Sequence, residues 1–207
     1  MKSQAVTSRY ESPLRAEQKA ATRRAILDAT GRLMQDGGLT ELSFAAVARE
    51  AGVRERTVFR HFANKEALLD ALWDWLDPRI GVSTFPCTEA ELVERPRQVF
   101  RAFDDHEHLM RAFWSSPQGR EFRLRVNDRR AAAIKASVAD AGRGLTRRER
   151  RWLAALAQLL YSGAAWQTMK DYWSLDGAEA GEAASFGLTL LFDAARRRGA
   201  RQKGDTR

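Results

Sequence analysis

Between Ser43 and Phe62, in SFAAVAREAGVRERTVFRHF, apolar positions recur twice at helical spacing with a break between them. Phe44, Val47 and Ala48 share one face of a first short helix, and Ser43 stands where a side-chain oxygen can cap its orphan backbone N–H groups. Gly52 ends that helix, at a turn that suits a residue without a Cβ. Val53, Thr57 or Val58, and then Phe62 make the inward face of a second helix, which leaves Arg54, Glu55, Arg56, Phe59, Arg60 and His61 outward. An ordinary surface helix dilutes its cations with acidic partners; here three arginines and a histidine share one short helix with a single glutamate. Ala48 permits a close crossing, Gly52 makes the turn and Val58 fills the angle, which are the requirements of a helix-turn-helix whose second helix enters the DNA major groove. A helical hairpin with a solvated basic face is the bland alternative.

The same periodicity organises the flanks. From Ala16 to Gln35, Ile26, Ala29, Leu33 and Met34, with Leu27 and Thr30 beside them, predict an amphipathic helix ended by Asp36-Gly37-Gly38 and packed across the pair. Thr22, Arg23 and Arg24 near its start are placed to meet phosphate or plain solvent. Asn64 is the expected cap of a fourth helix carrying Leu68, Leu69, Leu72 and Leu76 on one face, with Trp73 and Trp75 beside them, and ending about Asp77 before Pro78. The stretch 81–87, GVSTFPC, is the expected boundary loop. Beyond it, helices are predicted at about Glu89–Asp104, Glu107–Ser115, Gly119–Ala141, Thr146–Trp173 and Glu179–Arg198. The last two carry apolar residues around most of their girth or small residues among leucines, such as Ala183, Phe186, Gly187, Leu190, Leu191 and Ala194. Such helices need cover on more than one side and are expected to pair with their symmetry mates in a homodimer. A monomer core is the alternative.

At these residues a family resemblance becomes specific. The run LTELSFAAVAREAGVRERTVFRHFANKEALLDAL resembles the DNA-binding domain of TetR-family transcriptional regulators, above all in TVFRHFANKEALL. The resemblance covers Ala16 to about Leu76. It implies that Thr57 and Lys65 contact phosphate, that Arg54, Glu55 and Arg56 reach bases, and that Phe59 and His61 lie at the DNA surface. Arg60 departs from the family's frequent aromatic and is expected to add a phosphate or guanine contact. Ala45 and Ala46 replace frequent polar residues, so the first helix should read few bases. The resemblance also implies an inducer bound in the second domain that swings the DNA-reading heads apart.

The expected fold is all-α. A disordered arm is expected over 1–15, with Lys2, Arg9 and Arg15 near a DNA backbone, and a three-helix DNA-binding domain over 16–63. A connecting helix (64–80), a larger helical ligand-binding and dimerisation domain (81–198) and a disordered basic tail (199–207) complete the chain. No segment alternates long enough to make a strand. Cys87 is the single cysteine, which excludes an intrachain disulfide and fits a reducing cytoplasm; no apolar run spans a bilayer and the N-terminus lacks a signal peptide's apolar core. The formal charge of +8 is unevenly spread: +5 over 1–65, −5 over 66–118, +7 over 119–151 and +1 over 152–207. The first basic block fits phosphate neutralisation around the helix-turn-helix, with Ser43 a further phosphate contact. The second, with Arg120, Arg123, Arg125, Arg129, Arg130, Arg147, Arg148, Arg150 and Arg151, suits either an anionic effector or partner or a solvated helix face opposite Phe122, Val126, Ala133 and Ile134.

Candidate chemistry is sparse. Phe100, Phe103, Trp114, Phe122, Trp166 and Tyr172 are the candidate lining of an apolar effector site, although aromatics fill cores as readily. Asp104-Asp105-His106-Glu107-His108 has metal-ligand residue types, but the two histidines stand at a helix junction with no second cluster, and a helix start explains the acids equally; no metal and no cofactor is expected. There is no phosphate-binding glycine loop, dinucleotide fingerprint or nucleophile elbow, so no enzyme is expected. The resulting expectation is a sequence-specific DNA-binding regulator, a repressor released from a palindromic double-stranded operator by a small molecule. The rivals are a small-molecule-binding helical protein or enzyme with a vestigial helix-turn-helix, and a weakly specific architectural DNA binder.

Overall fold

The computed structural model describes residues 13–37, 42–80 and 84–204. Lys2, Arg9 and most of the expected arm, Gly38, part of the boundary loop and residues 205–207 lie outside the described residues. Among the described residues every regular element is a helix and none is long and apolar enough to cross a membrane. The chain divides into two compact units between Leu68 and Leu69.

In the first unit, α1 spans Pro13–Gly37, α2 Phe44–Glu50 and α3 Glu55–His61. Pro13, Leu14 and Arg15, expected in the arm, are already helical; a proline is tolerated in a first turn because its missing N–H has no partner there anyway. Ile26, Ala29, Met34, Val47, Ala48, Val58 and Phe62 close the core, and Thr30, fully buried, donates its hydroxyl back to the Ile26 carbonyl at 2.7 Å. Arg32 on α1 pairs with Glu50 on α2 at 2.7 Å. Asn64 caps α4 (Lys65–Ile80) by accepting from Ala67 N at 2.8 Å. Pro78 lies inside α4 and does not end it, since so close to the helix end it forfeits only a final-turn bond.

The second unit holds the rest of α4 and eight further helices: α5 Glu89–Glu94, α6 Pro96–Asp105, α7 Glu107–Ser115, α8 Pro117–Arg125, α9 Asn127–Ser137, α10 Arg147–Leu160, α11 Gly163–Trp173 and α12 Gly177–Gly204. Three of the expected helices are each broken in two. Pro96 splits the first, starting α6. Ser116 caps a helix that begins at Pro117, and that helix halts at Val126 before α9. The third breaks at Tyr161, because Ser162 turns its hydroxyl onto Ala165 N at 3.2 Å and caps a new helix. The tail does not fray at 199: α12 continues to Gly204, held by Arg198 and Gln202, which both donate to Glu149.

α12 packs along α6. Ala180, Ala184, Leu188, Phe192 and Ala195 face inward, and the last three join Leu92, Ile134, Val138, Leu153 and Ala157 in one core. Asp104 at the end of α6 pins this packing by accepting from Gly177 N at 2.7 Å, Trp166 Nε1 at 2.8 Å and Lys170 Nζ at 3.0 Å. α4 is held in the same unit by Trp73, edge-on to Phe113 with centroids 4.9 Å apart, and by Asp74, which receives Arg125 at 2.8 Å.

Candidate functional site

α2 and α3 owe their crossing to residues that cost little space and to a capped helix start. Ser43 Oγ accepts from Ala46 N at 3.1 Å, satisfying one of the four N–H groups that a helix start leaves open. Gly52 has φ +66°, a left-handed conformation at which a side chain would strain the turn. Val58 is fully buried beneath the crossing and Ala48 nearly so. With that face inward, Arg54, Glu55, Arg56, Phe59 and Arg60 are exposed and Thr57 and Lys65 half-buried. Phe59 is 54% exposed, yet its ring is fixed against Phe44 with centroids 4.6 Å apart. Ala45 is exposed, whereas Ala46, grouped with it in the sequence as a replaced polar position, belongs to the core.

His61 differs from its neighbours. Its Nε2 is sealed from solvent and without a partner, and burial, then the charges of Arg60, Arg23 and Lys19, push the imidazole below its ordinary value. Its carbonyl accepts from Arg23 Nη1 at 3.4 Å, and the same guanidinium stacks 4.4 Å over Phe62. Arg23, read from sequence as a phosphate contact or a solvated residue, thus ties α1 to the end of α3. The Nε2 edge of His61, set outward by the sequence reading, thus faces in.

In the second unit a cavity of about 320 Å³ opens among α6, α7, α9, α10 and α11. Val99, Phe100, Phe103 and Trp114 form apolar walls with Phe85 from the segment before α5, and Gln158, Tyr161, Ser162 and Arg130 supply the polar groups. Gly163 is the close approach that shapes it: a Cβ there would lie 2.0 Å from Trp114 Nε1. Trp114 is held from behind by Arg123, whose guanidinium sits 4.3 Å over the indole and donates to the Phe113 carbonyl at 2.6 Å.

Residues 26–72 match the family described as bacterial regulatory proteins, tetR family, over the end of α1, both helices of the helix-turn-helix and the start of α4. Residues 26–72 are therefore a TetR-family DNA-binding domain. No curated protein sequence matches it. Among solved structures, a transcriptional regulator from Rhodococcus sp. RHA1 is 20% identical with a TM-score of 0.61, covering 84% of this chain and 97% of its own. A candidate TetR-family regulator from Mesorhizobium loti MAFF303099 is 18% identical with a TM-score of 0.61 (86% and 98% covered), and a TetR transcription regulator from Haloarcula marismortui 19% identical with a TM-score of 0.55 (84% and 98%). At these identities the likeness is one of fold, and it extends through both units.

With this domain the protein is a DNA-binding transcriptional regulator. Of the aromatics singled out in its second unit, Phe100, Phe103 and Trp114 line the cavity. Phe122 is buried beneath Phe113 instead, Trp166 is spent on Asp104, and Tyr172 is 82% exposed at the end of α11. Periodicity gave Tyr172 no inward face once α11 became a separate helix. The acidic segment at 104–108 is likewise engaged: Asp104 as above, and Glu107 with Arg111 at 2.8 Å and Lys170 at 3.2 Å. Sequence reasoning missed Gln158 and Tyr161, and named Arg130 only as one member of the basic block. For Arg130 a signal was present, since it stands four residues after Val126 and four before Ile134, a cation within an apolar stripe.

Proposed function

We propose that this TetR-family regulator is a homodimeric repressor that holds a palindromic operator through α3 and leaves it when a small molecule fills the cavity of the second unit. The observation that carries the reading is the division of α3 with its two caps, which hides Val58 and Phe62 and offers Arg54, Glu55, Arg56 and Arg60 to the major groove, with no carboxylate in a salt bridge to these arginines among the described residues. Arg54 and Arg56 are the base readers, as forked donors suited to guanine O6 and N7, with Glu55 to take a cytosine amine. Ser43, Thr57, Arg60 and Lys65 set the register on phosphates, and Phe59 supplies an apolar contact to the groove. His61 contributes packing and positive potential.

Dimerisation is assigned to α10 and α12. Trp152, Leu156 and Leu159 on one and Phe186 and Leu190 on the other are each about half exposed or more, although the opposite faces of both helices are buried. Five large apolar side chains on two adjacent helices exceed what a monomer usually shows to water, and a second copy of the chain covers them while supplying the two-fold that a palindrome requires. Release follows from α4, whose first turn is covalently continuous with the helix-turn-helix and whose Trp73 and Asp74 are fixed on α7 and α8. A ligand that prefers one position of α7 over another biases α4 by that preference and by no more.

Selection of bound sequences from a random duplex library at two salt concentrations tests the reading. Enrichment of an inverted repeat with half-sites about 10 bp apart supports it. Binding without enrichment that vanishes as salt rises refutes it in favour of charge alone.

A further inference from the structure

The cavity contains a charge that the apo protein leaves unanswered. Arg130 extends from α9 into walls made of Phe85, Phe100, Phe103 and Trp114, and its guanidinium lies 5.1 Å over the Phe85 ring. Several other arginines of the second unit are matched, and Arg123 and Arg150 donate to backbone carbonyls. Arg97 pairs with Glu94 and Glu182, Arg111 with Glu107 and Asp171, Arg125 with Asp70 and Asp74, and Arg196 with Glu89 and Asp193. Among the described residues no carboxylate pairs with Arg130, and no hydrogen bond engages its forked donors.

Its surroundings add charge of the same sign. Arg123 is near enough for Arg130 to help lower its own pKa, after burial, to about 10, and Arg95 acts with Arg130 on the Tyr161 phenol. Burial pulls the Arg130 guanidinium below its ordinary value and raises the Tyr161 hydroxyl. A guanidinium remains charged at neutral pH even so. A desolvated, unpaired cation is costly, and selection retains such a group where a ligand completes it. Stacking on a phenylalanine face answers little of that cost, since it leaves the in-plane N–H donors unbonded.

Resting on the reading of this cavity as the effector site, we infer that the effector is a small apolar carboxylate: an aromatic or short aliphatic body among Phe100, Phe103 and Trp114, its carboxylate on the Arg130 fork beside the Tyr161 hydroxyl. The cavity's about 320 Å³ is at the low end of small-molecule sites, which favours a compact acid over an extended one. A carboxylate suits the fork because two parallel N–H···O bonds match its geometry. A neutral ligand of the same shape would leave the charge as it was.

The test titrates the full chain with sodium benzoate, 1-naphthoate and octanoate, and with the corresponding amides, by calorimetry and tryptophan fluorescence. At least one acid is expected to bind at least about tenfold tighter than its amide, the worth of one charge-assisted contact. Arg130→Gln is expected to erase that ratio by weakening the acid alone, and Arg130→Lys to restore part of it. Equal binding of acid and amide, or a ratio that survives Arg130→Gln, overturns the carboxylate while leaving the cavity as the effector site. If no probe of either kind binds while the selected operator does, the cavity reading fails and the inference with it. A second readout needs no ligand: Arg130→Leu is expected to raise the melting temperature of the apo protein, and a fall would show that the guanidinium serves packing.

Discussion

On α3 the guanidinium groups of Arg54, Arg56 and Arg60 stand in water; on α9 that of Arg130 stands among aromatic rings. Neither set has a carboxylate partner among the described residues, but the consequences are opposite. An exposed cation is hydrated already and costs the fold almost nothing, so α3 can accumulate several and gain its energy from counterions released on the operator. A cation partly buried in a cavity has given up part of its hydration before any ligand arrives, so one suffices and each addition strains the core. Under the proposed reading, DNA recognition draws on many inexpensive charges and effector recognition on one expensive charge. Substitutions in the two places should therefore separate affinity from stability.

The largest effect comes from the residue that makes the exposed set possible. Val58→Asp puts an unpaired carboxylate where there is no exposure at all, and is expected to cost more than about 4 kcal/mol and unfold the first unit. Operator binding should vanish in a mobility-shift assay, while the cavity still takes its carboxylate by calorimetry. Loss of both would show that the contrast between the units is not one of independent sites.

Gly163→Ala presses on the second region without touching charge. Its methyl would occupy space within 2.0 Å of the Trp114 indole, so the ring must shift into the cavity. The expected cost is about 1–3 kcal/mol in urea unfolding, with weakened acid and amide binding alike. A variant that loses only the acid would place Gly163, and not Arg130, at the source of the preference.

Arg54→Ala and Arg56→Ala should each cost about 1–3 kcal/mol of operator affinity and relax selection at one base pair, with an unchanged melting temperature. Equal loss on every sequence would demote that arginine to a phosphate contact. A change in melting temperature would blur the comparison, since an exposed cation would then be part of the fold.

How much of this was legible in the chain depends on range. Ser43, Gly52, Val58 and Asn64 act within four residues of themselves, so their types at those offsets foretold cap, turn and crossing, and the structure has all of them. The breaks at Arg95, Val126 and Tyr161 were harder, because each separates two segments of continuous helical periodicity. Only Pro96 announced itself. The cavity gathers Phe85, Arg130 and Gly163 from segments far apart in sequence, and no local pattern brings them together. Basic composition over 119–151 also concealed several roles: Arg125 pairs with α4, Arg150 donates to the Leu145 carbonyl at 2.6 Å, Arg123 braces Trp114 and Arg130 enters the cavity. A charge count cannot sort these, whereas the place of Arg130 between Val126 and Ile134 would have singled it out.

The smallest expected effect lies at the one polar group of α3 that resembles the cavity more than the groove. His61 is half-buried with its Nε2 enclosed, and burial together with Arg60, Arg23 and Lys19 holds the imidazole below its ordinary 6.5. Because the unfolded chain then binds a proton more readily than the folded one, His61 has no effect on stability well above pH 6.5 and lowers it as pH falls through that value toward the depressed one. Urea unfolding of the first unit should accordingly weaken between neutral pH and mild acid, and His61→Gln should flatten that slope, because glutamine does not titrate. Operator binding supplies the opposite sign, since phosphates brought near Lys19, Arg23 and Arg60 offset the cations that depress the imidazole. DNA should therefore raise the His61 pKa, read from its imidazole proton resonances with and without operator. An unmoved resonance would return His61 to pure packing and leave phosphate sensing on α3 to Thr57 and the exposed arginines.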